Sequence, residues 1–339
     1  MAQAFLVRGS NFLMHVVSGP ASSLLKSMRM LRFCMASMWC SALLRLGHAA
    51  AIPDMSLLHG NKIPSLGLGT WDMAAGQEAY NAVKLALQLG YRMIDTAQMY
   101  GNEADIGRAI KDSGIPRHQI WVQSKVNTDN HGYQKTIGTA RESLRIMGLD
   151  YLDCFLVHSP FGGKLIETYD ALLQLQKEGV LRSVGVSNFD VRHIEALLEH
   201  GRPRPIMNQF ELHPMILAEH QSLVDYCMDK GILVQAYGSL FVGKTELLSD
   251  SRVTEIVNSH PGKTAAQVLL RWGHQKGFQL IPKSVKRHRL EENMDLFDFE
   301  LSSAEVSSLD SMPLHRIYWN PIQEASVELG ETEKHRVDL

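Results

Sequence analysis

The chain has 339 residues, 45% of them hydrophobic and 21% charged, which is enough apolar material for a full core and excludes a disordered or fibrous protein. The formal net charge is −2 and no run of five or more basic residues occurs, which removes any charge-based case for a nucleic-acid partner. Cys34, Cys40, Cys154 and Cys227 form neither a CxxC pair nor another ligand spacing, so a disulfide scaffold is not indicated and a reducing compartment fits.

Residues 1–54 differ in composition from the rest of the chain. No acid precedes Asp54, whereas Arg8, Lys26, Arg29, Arg32 and Arg45 stand among many Ser, Met and Leu residues. That composition fits three readings: a mitochondrial-type presequence, a secretory signal with a long basic start, or an extension upstream of a true start at Met55. The apolar stretch from Phe33 to Leu44 is too short to span a bilayer. Without this extension the chain carries 29 Lys and Arg against 35 Asp and Glu, a net charge of −6.

From Leu66 onward, short apolar runs alternate with longer stretches of helical periodicity. The runs are LGLGTW (66–71), YRMID (91–95), IWVQSKV (120–126), LDCFLVH (152–158), RSVGVSN (182–188), IMNQF (206–210), ILVQAYG (232–238) and FQLIPKS (278–284). Helical patterns lie between them over 78–89, 135–147, 165–178 and 193–200, and Gly90, Gly148, Gly179 and Gly231 follow helical stretches as C-terminal caps do. Eight βα units in about 250 residues predict an α/β fold, a (β/α)8 TIM barrel. The doubly wound alternative is disfavoured, because GLGTW lacks the third glycine of a dinucleotide-binding turn and the acid expected beyond it.

In such a barrel the chemistry sits at the C-terminal ends of the strands. Those ends read Trp71, Asp95, Lys125, His158, Ser187 with Asn188, Gln209, Tyr237 and Lys283. Neither a GxSxG elbow, an HExxH motif, a calcium loop nor a P-loop occurs, and nothing gives His158, His213 and Asp95 metal-ligand spacing, so no metal is expected. Acid–base chemistry remains. Asp95 can reach Lys125 on the next strand and keep its ammonium charged; that ammonium is expected to lower the pKa of Tyr100, whose reference value is near 10. His158 can orient a carbonyl beside the phenol, and a proton donor of this kind suits C=O reduction with hydride from a cofactor.

Ordered along the chain, GYRMIDTAQMYGNE (90–103), LDYLDCFLVHSP (149–160), GVSNF (185–189), NQFELHP (208–214) and LIPKSVKRHRLEEN (280–293) resemble the signatures of the aldo-keto reductases, NADPH-dependent carbonyl reductases on a (β/α)8 barrel. The resemblance covers Met55 to Pro321, leaving residues 322–339 as a polar C-terminal tail. It implies that Tyr100 is the general acid, that Asp95 and Lys125 tune it, and that His158 orients the substrate. It further implies that Ser187, Asn188 and Gln209 hold the nicotinamide carboxamide of NADPH/NADP+ and that Tyr237 stacks on the ring. Lys283, Ser284 and Arg289 would then bind the 2′-phosphate, with Glu292 and Asn293 near the adenine. A strand tip feeding a helix start with converging cations is independently an anion site.

Several residues depart from the family pattern. Ser159 follows His158 where an aromatic is frequent, Asn127 stands two places after Lys125 where Trp is frequent, and Met93 replaces a common His. After Tyr237 the chain reads GSLFVGK, and the loop HSPFGGKLIETY is short, as in microbial-type members. The substrate pocket is therefore expected to be open and less aromatic, with Trp71 and Trp319 as its aromatic walls and a broad range of aldehydes and ketones as substrates. The expected protein is a monomer acting on a small-molecule carbonyl, without nucleic-acid or membrane partners. Its body is expected in the cytoplasm, or in mitochondria if residues 1–54 are a genuine presequence. A non-catalytic NADPH-binding regulatory barrel is the alternative function.

Overall fold

The computed structural model describes residues 52–318 and 320–329. A two-stranded antiparallel hairpin opens it, with β1 at Asp54–Ser56 and β2 at Lys62–Pro64. Eight parallel strands come next: β3 Leu68–Gly69, β4 Met93–Asp95, β5 Trp121–Val126, β6 Cys154–Val157, β7 Val184–Ser187, β8 Met207–Glu211, β9 Leu233–Tyr237 and β10 Gln279–Leu280. Each pairs with its sequence neighbour. The first and last strands also meet: Leu66 bridges Leu280, Leu280 N donates to Ser65 O at 3.0 Å and Gly67 N donates to Leu280 O at 2.8 Å. The sheet therefore closes as a (β/α)8 barrel, and each predicted strand overlaps an observed one, β8 ending one residue beyond the predicted run 206–210.

Helices follow the strands for the reasons their sequences carry. Gln77–Leu89 buries Ala79, Ala82, Val83, Ala86 and Leu87, a single stripe at helical spacing, and ends on Gly90 in the left-handed region at φ 114°. Val191–Glu199 starts on a capping box in which Asp190 accepts from the first turn and His193 reaches back; Thr264 with Gln267 does the same for Ala265–Gln275. The hairpin strands hold one large apolar side chain each, Met55 and Ile63, and form no apolar run, and the first part of the β9–β10 connection adds the helices Thr245–Leu248 and Ser251–Ser259, the second burying Val253 and Ile256 at helical spacing.

Strand alternation separates two cores. Residues facing outward, such as Ile94, Val122, Phe155, Val186 and Phe210, pack with the helices in one large apolar cluster. Facing inward near the N-terminal end, Met93, Cys154, Leu156, Met207 and Ile281 form a second cluster, closed from below by Leu57 and Ile63 of the hairpin. Ile63 is fully buried there, worth about 1.5–3 kcal/mol. Met93 fills space that Gly67 leaves: a Cβ on Gly67 would fall 2.0 Å from its Sδ. At the closing seam a Cβ on Gly69 would stand 2.5 Å from Ile281 O.

The C-terminal residues do not form a separate tail over 322–329. The Arg192 guanidinium donates to the carbonyls of Gln323 and Ala325 at 2.7 Å each, and Leu165 N donates to Glu328 O at 3.0 Å, so this segment lies against the β6 and β7 side of the barrel.

Candidate active site

The tips of β4 and β5 bring the central residues together. Asp95 and Lys125 lie on inward-facing positions of neighbouring strands, and Lys125 Nζ stands 2.8 Å from Asp95 Oδ2. Lys125 is fully buried; it also donates to Thr96 O at 2.9 Å and to the Tyr100 hydroxyl at 3.1 Å. Tyr100 arrives on a single turn, Gln98–Tyr100, directly after β4 and ends against Gly101 at φ 68°. Its ring lies 5.8 Å from that of His158, edge to face, and 5.0 Å from the half-exposed Trp71. The sequence-predicted acid–base set is thus one contiguous cluster at the barrel mouth.

Electrostatics differ from the expectation at one point. The Tyr100 phenol is pushed well above its ordinary value, first by burial and then by the Asp95 carboxylate and Tyr318. The anticipated lowering by Lys125 does not prevail over burial of the phenol, and the Asp95 carboxylate beside the ammonium offsets its charge. Lys125 itself is held below its ordinary value by burial, against the opposing pull of Asp95. Burial, followed by Lys125 and His131, drives the His158 imidazole down to about 3, so it is neutral at physiological pH.

Beside this cluster, the ends of β7, β8 and β9 place four further predicted residues. Ser187 Oγ donates to Gln209 O at 2.8 Å, and Asn188 Nδ2 donates to His158 O at 3.0 Å and to Ser187 Oγ at 3.1 Å. Tyr237 donates its hydroxyl to Asn188 Oδ1 at 2.9 Å. Asn188 adopts φ 59°, a left-handed backbone that non-glycine residues reach at a cost and that recurs at functional sites.

The predicted phosphate-binding residues lie beyond β10. Ser284 Oγ accepts from Lys286 N at 3.2 Å, turning the chain into the helix Arg287–Met294. Lys283 and Arg289 are exposed near its start, and among the described residues neither pairs with a carboxylate. Glu292 is partly exposed and accepts from Thr264 Oγ1, and Asn293 is buried on the same helix.

Residues that sequence reading passed over also enter the site. Tyr318 packs its ring 6.0 Å from Tyr237, edge to face. Glu211, one residue beyond the predicted run 206–210, is buried, pairs with His213 at 3.0 Å and accepts from the backbone of Ile317 and Tyr318, fastening the C-terminal segment over the mouth. Gln123 and Gln235 reach the site from within the barrel; their position two residues before Lys125 and Tyr237, on the same strand face, was the signal available for them. Glu103 has a structural place, accepting from Ser124 Oγ at 2.6 Å on the outer face of β5. Trp319 lies outside the described residues.

A closed parallel barrel carrying a phenol, an ammonium, a carboxylate and an imidazole at its C-terminal mouth is an enzyme scaffold equipped for proton transfer. A model of the Aldo/keto reductase family matches residues 65–313. The glyoxal reductase of Bacillus subtilis is 42% identical over 263 residues, 77% of this chain and 94% of that protein. An aldo-keto reductase from a Medee basin deep-sea metagenome library superposes with a TM-score of 0.75 at 39% identity, over 78% of this chain and 97% of that one. A Bombyx mori aldo-keto reductase, solved in complex with NADP, superposes with a TM-score of 0.74 at 33% identity, over 79% of this chain and 95% of that one. The chain belongs to the aldo/keto reductase family.

Proposed function

We propose that the protein reduces aldehydes and ketones to alcohols with NADPH, and that Tyr100 is the general acid. The carrying observation is the position of Lys125 Nζ, within hydrogen-bond reach of both Asp95 and Tyr100 while His158 stands edge-on to the same phenol. Because Lys125 donates to the Tyr100 oxygen, the hydroxyl proton of Tyr100 is free to point at a substrate. That proton passes to the carbonyl oxygen, and the phenolate left behind is stabilised by the ammonium, whose charge Asp95 sustains. His158, neutral, orients the carbonyl oxygen by a hydrogen bond without adding charge.

NADPH supplies the hydride when bound. The residues present fit it: Ser187, Asn188 and Gln209 would hold the carboxamide, and Tyr237 would pack against the ring. Lys283, Ser284 and Arg289 would take the 2′-phosphate, and Glu292 and Asn293 would flank the adenine. The unpaired cations at the start of Arg287–Met294 support the phosphate assignment, since exposed charges beside a helix N-terminus favour an anion. The Bombyx mori relative solved with NADP supports the cofactor.

The Bacillus subtilis relative named glyoxal reductase makes α-dicarbonyls the first substrates to try. An open mouth, with Trp71 46% exposed and Ser159 and Asn127 in place of aromatics, supports a broad range of small carbonyls. The test follows NADPH oxidation with glyoxal, methylglyoxal, simple aldehydes, aldoses and ketones, using wild type and Tyr100→Phe. Turnover lost in the variant supports the reading; binding of NADPH without turnover of any carbonyl would leave a regulatory barrel instead.

A further inference from the structure

Three glutamines fill the barrel interior immediately beneath Asp95, a place where layers of Val, Ile and Leu are the norm. Gln123 on β5 and Gln235 on β9 are fully buried, and Gln209 on β8 is 2% exposed. Gln123 Nε2 donates to Asp95 Oδ1 and to Gln235 Oε1, each at 2.7 Å. Gln209 Nε2 donates to the same two acceptors, Asp95 Oδ1 at 2.9 Å and Gln235 Oε1. Gln235 Nε2 returns a bond to Gln123 Oε1 at 3.4 Å, and the Trp121 indole N–H reaches that oxygen at 3.3 Å.

Both hydrogens of the Gln209 amide are consumed inside this network. Rotating the amide by half a turn would aim its oxygen at two acceptors, Asp95 Oδ1 and Gln235 Oε1, with no donor between them. The orientation is therefore decided from below, and Oε1 is the only polar atom Gln209 has left for a partner outside the network. Asp95, the carboxylate that sustains Lys125, belongs to the same set of bonds.

We propose that Gln123 and Gln235 are positioning residues: they hold the Gln209 amide in the one orientation that offers an acceptor to the N–H of a nicotinamide carboxamide, and they join that choice to Asp95. The inference rests on the proposed use of NADPH. Its consequence is selectivity for a carboxamide over a group of similar shape lacking the N–H, because the fixed acceptor would then face no donor.

The test measures dissociation constants by quenching of tryptophan fluorescence for NADP+ and for its 3-acetylpyridine analogue, in which a methyl group replaces the carboxamide NH2. Wild type should prefer NADP+ by about tenfold, the size of one well-made hydrogen bond. In Gln235→Met the Gln209 amide loses one of the two acceptors that fix it and is held by Asp95 Oδ1 alone, and the preference should fall to about threefold or less. Gln123→Met, which keeps the Gln209–Gln235 bond, serves as the second variant should Gln235→Met fail to fold; its preference should fall by about threefold. A variant that merely loosened the barrel would weaken both cofactors alike and leave the ratio unmoved. An unmoved ratio in a folded variant, or no preference in wild type, overturns the inference alone; wild type that binds neither cofactor overturns the functional reading and the inference with it.

Discussion

Lys125 donates to the Tyr100 hydroxyl across 3.1 Å from a position held by Asp95 at 2.8 Å and the Thr96 carbonyl at 2.9 Å. An ammonium has three donors, and here each has a partner, so its aim at the phenol is set by the two groups behind it. Tyr100→Phe keeps the ring and removes only the acid. The expected result is a loss of about 100- to 10,000-fold in kcat in a folded protein whose stability drops only by the loss of one hydrogen bond, about 1–3 kcal/mol. Retention of full activity by the folded variant would remove Tyr100 from the acid role.

Asp95→Asn should be costly to stability as well as to catalysis, because it leaves the fully buried Lys125 charge without its counter-ion. Urea unfolding should show a loss of about 3–5 kcal/mol. Adding Lys125→Met to that variant should recover part of it, since an apolar replacement of both partners removes the uncompensated charge. A double variant less stable than Asp95→Asn would contradict this account of the pair.

Acid should destabilise the fold through its buried histidines. His158 is held at about 3 in the folded state against about 6.5 when unfolded. Between these values the unfolded chain binds a proton that the folded chain refuses, so stability falls as pH drops from 6.5, by about 1.4 kcal/mol per pH unit for this group. Burial also lowers His131, His193, His220 and His274, which steepens the slope. Denaturation curves between pH 7.5 and 4.5 should show wild type losing more stability than His158→Gln. Parallel pH dependence in the two proteins would count against a neutral, buried His158.

Arg289→Ala removes an exposed cation without disturbing the core. If Arg289 binds the 2′-phosphate, the KM for NADPH should rise about 10- to 100-fold while that for NADH, which lacks the phosphate, hardly changes, as expected for a charge-assisted contact of about 1.5–3 kcal/mol. Equal effects on the two cofactors would place the phosphate elsewhere.

Gly69→Ala tests the closing seam. The new Cβ would meet Ile281 O at 2.5 Å, a backbone atom with little room to retreat. A destabilisation of about 1–3 kcal/mol, read from denaturant midpoints, is expected.

The barrel was legible because its signal is repetitive. Eight apolar runs each overlap a strand that extends at most one residue beyond its run, and the helix over 77–89 starts within one residue of its predicted position because its stripe and Gly90 cap agree. The hairpin was not, since Asp54–Ser56 and Lys62–Pro64 hold one large apolar side chain each and form no apolar run. Asp95, Tyr100, Lys125 and His158 were readable as chemistry stranded at strand ends. The direction of the Tyr100 pKa was not, because it is set first by burial and then by the nearby Asp95 carboxylate, neither of which spacing along the chain reveals. Gln123 and Gln235 were hidden for a related reason: an amide inside an apolar run looks like noise until its partners on other strands are known.

Those amides also bear on how the molecule forms. Their bonds connect β4, β5, β8 and β9, and a strand slipped by one residue would turn its glutamine outward toward the helices and leave the others unpaired. A misregistered barrel would thus bury several unmatched amides at once. The same contacts that aim the chemistry penalise a one-residue slip of β4, β5, β8 or β9, so that the correct register of these strands and a competent mouth arise together.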